Sequence, residues 1–300
     1  MRKRLIGLMG IVLALAACEK DIDISVDAGP PLVVVEGYIN NTLRSYNYVI
    51  VGKSLRYDQA DFANTPIEGA NVTITTGIYT AGTGFTWDNS SKVKLQEVKI
   101  PELGSVKVPG VYFDPRIVSD SAHALMGVPG KSYLLEIEAA GKKYTAITTL
   151  PQPVRIDSLT NTASFKDDSG TVRARLMVHY KDPDTLGNAQ LYYWKNVESK
   201  STFGWGAMYT DRYIPSTDDL INGQAVHITH SSRLPVGDTL QYFLVSVERP
   251  VYDFWSSFNK ARINGGPFTT PVSLKSNIQG DNVVGSFSGF SIRTATHLMR

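Results

Sequence analysis

The sequence has one cysteine, no apolar run long enough to cross a bilayer and no excess of charge of either sign. The single thiol, Cys18, cannot form an internal disulfide, so the fold depends on its buried core. The 30 basic and 28 acidic residues nearly balance, and without Arg2, Lys3 and Arg4 the count becomes 27 against 28. A protein that binds nucleic acid needs a basic surface to neutralise phosphates. We therefore expect no nucleic-acid partner.

The N-terminal segment predicts a signal peptide. Three basic residues are followed by the apolar stretch "LIGLMGIVLALAA", residues 5–17. A helix needs roughly 20 apolar residues to cross a bilayer, so this stretch is too short to span one. Its length and its basic flank are typical of the hydrophobic region of a signal peptide.

The position of Cys18 explains why the chain keeps one thiol. The residues that end the apolar stretch resemble a bacterial lipobox, in which small residues fit the signal peptidase and the thiol receives diacylglycerol: Leu15, Ala16, Ala17 and Cys18. Residues 1–17 are then a lipoprotein signal peptide, and residues 18–31 a lipidated tether. Acyl chains contribute about 0.8 kcal/mol per buried CH₂ group, so the lipid bilayer is an expected partner through Cys18. The alternative is an ordinary secretory peptide beside a chance cysteine.

Charged residues follow this cysteine directly: Glu19, Lys20, Asp21 and Asp23. An acidic start after an acylated cysteine resembles the export signal for the outer face of the outer membrane in one large phylum of Gram-negative bacteria. We expect a lipid-anchored outer-membrane protein that faces the cell exterior.

Short aromatic and β-branched runs, separated by Gly, Pro, Asn and Asp, predict an all-β fold. In "VRARLMVHY", residues 172–180, every second residue from Val172 is apolar, which is typical of a strand with one buried face. Two such runs separated by Ala140-Gly141-Lys142 predict a tight hairpin.

The prolines of "LPQPVRIDSL", residues 150–159, mark the predicted domain junction, because proline disfavours a helix interior or a central strand. We expect two β-sandwich domains, immunoglobulin- or fibronectin-like, over residues 32–150 and 151–300.

One helix is predicted in the second domain, near residues 250–263. Pro250 suits a first helical turn, and the apolar residues that follow lie at helical spacing: Val251, Phe254, Trp255 and Phe258. We expect this face to pack on a sheet, since aromatic residues left in water favour aggregation.

The sequence contains no CxxC, GxxxxGK[ST] or HExxH motif, and Phe287 occupies the position of the nucleophile in "GSFSG". His227 and His230 are three residues apart, so on a strand they point to opposite faces and cannot bind one ion without other elements. We predict no enzyme activity, no catalytic residue, no cofactor and no metal.

The segment "KDPDTLGN" contains oxygen ligands suited to calcium: Asp182, Asp184 and Asn188. It lacks the ligand number and the central glycine of an EF-hand loop. Asp-Pro-Asp followed by Gly-Asn is typical of a turn, which is the interpretation we favour.

Aromatic residues among glycines mark two candidate contact loops. "GTGFTWDNS" contains Phe85 and Trp87, and "TFGWGAMYTDRYIP" contains Trp205, Tyr209 and Tyr213. Exposed aromatic side chains supply binding energy at interfaces or stack on sugars. The alternative, which the residues favour slightly, is that they cover a sheet edge.

Five segments resemble one family, that of domain of unknown function 4249: "VVVEGYI", "TPIEGANVTIT", "TLPQPVRIDSL", "YKDPDTLGNAQLYYW" and "GGPFTTPVSLKSNIQGDNVVGSF". The resemblance extends from about Val33 to Phe290. It implies an outer-membrane lipoprotein of a kind typically encoded beside TonB-dependent transporters. The family has no established activity, so the resemblance assigns no catalytic residue.

We therefore expect a non-catalytic accessory or binding subunit of a TonB-dependent outer-membrane transporter for nutrient uptake. One alternative is a free-standing adhesive or structural module at the cell surface. The other is a hydrolase, for which the sequence offers no set of residues at catalytic spacing.

Overall fold

Strands form where the sequence alternates apolar and polar residues. The computed structural model describes residues 30–55, 62–100, 106–197, 214–264, 270 and 272–300. Strands make up 49% and helices 13% of the structure, so the all-β prediction is confirmed. The turn Ala140–Gly141 has positive φ at both residues, 49° and 75°, and joins two strands as the hairpin prediction requires.

The strands, in chain order, are β1 (Val33–Asn40), β2 (Tyr48–Lys53), β3 (Asn71–Thr80), β4 (Gly84–Trp87), β5 (Val93–Leu95), β6 (Lys99–Ile100), β7 (Val106–Lys107), β8 (Val111–Phe113), β9 (Ser132–Ala139), β10 (Lys142–Thr149), β11 (Ile156–Asn161), β12 (Phe165–Lys166), β13 (Val172–Ala174), β14 (Leu176–Lys181), β15 (Ala189–Asn196), β16 (Ile214–Thr217), β17 (Ala225–Thr229), β18 (Leu234–Pro235), β19 (Thr239–Val247) and β20 (Val283–Leu298). The α-helices are α1 (Arg116–Ser119) and α2 (Arg249–Ile263). Short 3₁₀ helices span Arg44–Tyr46, Phe62–Asn64, Asn89–Ser91 and Ser121–His123.

A seven-stranded sheet is the centre of the fold, in the order β16-β15-β19-β20-β1-β2-β8. The long strand β20 lies in the middle of this sheet and links the strands on its two sides. The first half of β20 pairs in parallel with β1, from Val33 opposite Val283 to Asn40 opposite Phe290. The second half pairs antiparallel with β19. Strands from both ends of the sequence therefore share one sheet.

Two smaller sheets cover one face of this central sheet. The sheet β10-β9-β3-β4, with β5 beside β3, encloses a core with Val35, Ile39 and Phe287. The sheet β11-β14-β17 encloses a second core with Tyr192 and Leu244. Because side chains alternate along a strand, the intervening residues face the other way. The structure thus has the layers of a β-sandwich.

The helix α2 covers the opposite face of the central sheet. Val251, Phe254 and Trp255 are buried there against Phe290 and Ile292. The helix prediction, including its packing on a sheet, is confirmed. No helix in the described part of the chain is long and apolar enough to cross a membrane.

The predicted division at residue 150 differs from the structure. Leu32–Arg300 form one compact unit, because β20 from the second half is hydrogen-bonded beside β1 from the first. The proline-containing connection is also attached to the central sheet. Ser246 Oγ accepts a hydrogen bond from Val154 N at 3.1 Å, and Ser291 Oγ donates one to Pro151 O at 2.5 Å. The prolines therefore mark a crossing between layers within one unit.

Candidate functional site

The structure describes only part of the predicted site. Trp87 lies on β4, within the described residues. The lipidation site and the second aromatic loop lie outside the described residues: Leu15, Ala16, Ala17, Cys18, Trp205, Tyr209 and Tyr213.

The hairpin formed by β3 and β4 extends past its sheet. Pairing between β3 and β9 ends at Gly77 opposite Ser132, whereas pairing between β3 and β4 continues to Thr80 opposite Gly84. The turn is closed by a hydrogen bond that Thr83 N donates to Thr80 O at 3.1 Å. The last residues of the hairpin therefore project as a two-stranded ribbon.

Three aromatic rings lie on one side of this ribbon, and we call Tyr79, Phe85 and Trp87 the aromatic patch. Phe85 and Trp87 are nearly parallel, with ring centroids 5.3 Å apart and an interplanar angle of 11°. Tyr79 continues the row, with its centroid 5.1 Å from that of Phe85. The register explains this row, because Tyr79 is opposite Phe85 and Gly77 is opposite Trp87.

Gly77 allows the Trp87 ring to lie flat on the hairpin. A Cβ atom at residue 77 would be 2.4 Å from the Trp87 ring, so any larger residue would displace the indole. Trp87 thus covers part of β3. Phe85 and Tyr79 instead remain 41% and 57% exposed. Exposed rings in a row are typical of a binding surface.

Sequence reasoning missed Tyr79 because it lies outside the glycine-rich loop. The available signal was its position two residues after Gly77 on the same strand, which places both residues on one face. The pairing of Tyr79 with Phe85 is set by the register of the hairpin.

A polar border lies beside the aromatic patch. Asp88 accepts hydrogen bonds from Ser90 Oγ at 2.5 Å and from Ser90 N at 2.9 Å. These bonds lower the pKa of Asp88, so it carries a negative charge at neutral pH. Aromatic anchors with a polar border are the usual composition of a protein-binding surface.

The two histidines of the "HITH" segment lie in different environments, as predicted. His227 is exposed, and its Nδ1 atom lies 2.7 Å from His179 Nδ1 on the neighbouring strand. His230 is buried, and its Nε2 atom lies 3.1 Å from Tyr242 Oη. Two imidazoles are fewer ligands than a structural zinc site requires. No group of three His, Cys, Asp or Glu residues suited to a metal occurs in the described ranges.

The "KDPDTLGN" segment forms a turn held by one internal hydrogen bond and by bonds to residues 218 and 223. Asp182 Oδ2 accepts from Gly223 N at 3.3 Å, and Asn188 N donates to Asp218 Oδ2 at 2.9 Å. The side-chain amide of Asn188 donates to Thr185 O. These bonds agree with the turn interpretation.

Comparison with models of protein families shows which family the chain belongs to. A family model described as "Domain of unknown function (DUF4249)" matches residues 19–296. The chain belongs to this family. The resemblance found in the sequence is thus confirmed. A search of curated proteins found no match to this DUF4249 chain.

Two of the family-like segments meet in the central sheet. "VVVEGYI" is most of β1, and "VVGSF" begins β20, so these segments pair residue by residue although they lie at opposite ends of the sequence. Within this DUF4249 chain both segments contribute to one core, through Val35 and Ile39 of the first and Phe287 of the second. These two segments therefore contribute to the core of the fold.

Proposed function

We propose that this protein is a lipid-anchored accessory subunit on the outer membrane that binds a TonB-dependent nutrient-uptake transporter through the aromatic patch. The row of rings in which Tyr79 and Phe85 are exposed and Trp87 is half-buried carries the proposal. The lipobox ending at Cys18 supports membrane attachment. Membership of the family supports the choice of partner, because of what the resemblance implies about gene neighbours.

The geometry of the hairpin suits docking to another protein. The rings lie on a ribbon of two paired strands, and a backbone that is already ordered loses little conformational entropy when its side chains are covered. The ribbon projects past its sheet and can enter a groove between surface loops of a partner. Ile78, on the reverse side of the ribbon, is 45% exposed and enlarges the apolar tip. We assign the patch a binding role with no chemical step.

The first prediction concerns partner recovery. Crosslinking the full chain in native outer membranes should recover a TonB-dependent transporter, identified by mass spectrometry. The double variant Tyr79→Thr/Phe85→Thr should recover at least tenfold less, because truncating each interface aromatic costs about 2 kcal/mol of binding. The free energy of unfolding should change by less than about 1 kcal/mol, since both rings are exposed.

A matched control removes exposed apolar groups elsewhere. Val118→Thr/Leu220→Thr should recover the transporter as the unmodified chain does, because these residues are exposed and lie outside the hairpin. Equal recovery with both double variants contradicts docking through the patch. If the expressed transporter is not recovered at all, and the chain instead binds surface glycans, the protein is a free-standing adhesive module.

The second prediction concerns the anchor. Cys18→Ala should abolish incorporation of a labelled fatty acid and remove the protein from the outer-membrane fraction, because acyl chains supply the affinity for that membrane. Protease treatment of intact cells should digest the unmodified protein if it faces the exterior. A Cys18→Ala chain that still incorporates the labelled fatty acid contradicts lipid anchoring through Cys18.

A further inference from the structure

A cavity of about 350 Å³ lies among the short strands of the second half of the chain. It is lined by Thr162, Phe165, Arg175 and Arg233. Phe165 begins β12, Arg175 separates β13 from β14, and Arg233 immediately precedes β18. Since β12, β13 and β18 form one small sheet, the hairpin of β12 and β13 and the distant segment before β18 converge on this cavity.

Arg175 lines the cavity and has one unpaired buried donor. Its Nε atom is buried and has no hydrogen-bond partner in the structure. Its backbone is held by Thr162, whose Oγ1 accepts from Arg175 N at 3.1 Å and whose N donates to Arg175 O at 3.0 Å. The backbone that carries the guanidinium is therefore held in place by two hydrogen bonds. Its buried donor lacks the acceptor that such a group requires.

Arg233 adds a second cation with an aromatic surface beside it. Its guanidinium carbon lies 5.6 Å from the centre of the Phe165 ring, within cation–π distance. Its carbonyl accepts a hydrogen bond from Arg173 Nη1 at 3.2 Å, which holds the backbone of this segment. Arg233 thus faces the same space as Arg175.

The nearby carboxylate is already paired. Asp167 binds Arg173 through a short contact and accepts from Ser169 Oγ at 2.6 Å. The Ser169 and Arg173 bonds keep the pKa of Asp167 well below its usual range. Neither Arg175 nor Arg233 forms an ion pair with any residue that the structure describes. The cavity therefore has two positive charges and no negative one.

We propose that this cavity binds a small molecule bearing a carboxylate or sulfate group, such as an acidic sugar. The oxyanion lies between Arg175 and Arg233, whose planar guanidinium groups match two oxygens of such a group. The ring of the ligand lies against Phe165. A cavity of this size is at the small end of the range for ligand pockets, roughly 300–1,000 Å³, which favours a monosaccharide over a longer chain. This site and its ligand do not depend on the transporter proposal.

Isothermal titration calorimetry on the full chain in detergent tests the proposal. The probes are glucuronate, sodium sulfate and glucose, each at the same ionic strength. Glucuronate should bind at least tenfold more tightly than glucose, because only the charged sugar supplies acceptors for both arginines. Sulfate separates the contribution of the oxyanion from that of the ring. Added sodium chloride should weaken binding, because the contacts are ionic.

The variants Arg175→Gln and Arg233→Gln should each weaken glucuronate binding at least tenfold. The matched control is Arg155→Gln, which removes an exposed arginine that does not line the cavity. Arg233→Gln keeps the test valid if Arg175→Gln fails to fold. Three results would overturn the proposal: no binding of either anion at millimolar concentration, equal affinity for glucose and glucuronate, or equal losses in Arg155→Gln and the cavity variants.

Discussion

Replacing Gly285 with alanine is expected to destabilise the protein by at least about 4 kcal/mol. Gly285 lies on β20 opposite Val35 of β1 and has φ of 150°, a conformation that residues with a Cβ rarely adopt. A Cβ atom there would be 1.8 Å from Val35 O. The two strands would have to separate where the halves of the chain join. Most domains are stable by about 5–15 kcal/mol, so this loss is a large fraction of the total.

Chemical denaturation of the two proteins measures the effect. The control is Gly69→Ala, because Gly69 also has positive φ but no atom lies within 4 Å of the position that a Cβ atom would take. That variant should lose only about 1 kcal/mol, the cost of the backbone conformation. Similar losses in both variants would show that the close approach of β20 to β1 contributes nothing beyond local strain.

Replacing Glu248 with glutamine is expected to stabilise the protein by about 2 kcal/mol at pH 8 and to have little effect at pH 4. Glu248 lies between β19 and α2 and accepts hydrogen bonds from Thr148 and Thr149 at the end of β10. Burial raises its pKa to about 7, and the threonine bonds only partly oppose that shift. The folded state therefore favours the protonated carboxyl. The contribution of Glu248 to the free energy of unfolding is fully present below pH 4.5 and is lost as pH rises through 7.

The buried His230 contributes the opposite pH dependence. Burial lowers the pKa of His230 to about 4 from an ordinary value of 6.5, so its contribution is lost as pH falls from 6.5 through 4. In the unmodified chain, the effects of Glu248 and His230 on the free energy of unfolding change with pH in opposite directions between pH 4.5 and 6.5. In Glu248→Gln the contribution of His230 is no longer opposed by that of Glu248, so this variant should lose more stability on acidification than the unmodified chain does.

Urea denaturation between pH 4 and 8 measures how the free energy of unfolding changes with pH. Glu68→Gln is the matched control, because Glu68 is an exposed glutamate on a surface ion pair with Lys107. Its curve should follow that of the unmodified chain, since exposed pairs contribute little. Parallel curves for Glu248→Gln and the unmodified chain would contradict the assignment of the rising slope to Glu248.

Both large effects concern contacts between distant parts of the chain. Gly285 joins β20 to β1, and Glu248 joins the start of α2 to the end of β10. The prediction of two separate sandwiches did not include such contacts, because each half has a strand pattern that is complete in itself. A parallel strand pair between opposite ends of a sequence leaves no local pattern, since its register depends on a partner far along the chain.

Local features could be read from consecutive residues. The period of two around Val178 produced β14, and helical spacing from Val251 to Phe258 produced α2. The Ala140–Gly141 turn and the opposite environments of His227 and His230 follow from the same local geometry. Each depends on the next few residues alone, which is why periodicity and turn chemistry were sufficient.

Local patterns in the sequence were sufficient to predict the all-β class, the helix, the family and the N-terminal features of a lipoprotein. Which side chains meet depends on the tertiary structure. Trp87 was a candidate from its loop, but Tyr79 joined it through the register of one hairpin. Arg175 and Arg233 come from separate segments, and the small sheet that contains β13 and β18 brings them to one cavity. Side chains alternate along strands, so their neighbours are set by long-range pairing, and the composition of a binding site follows from that pairing.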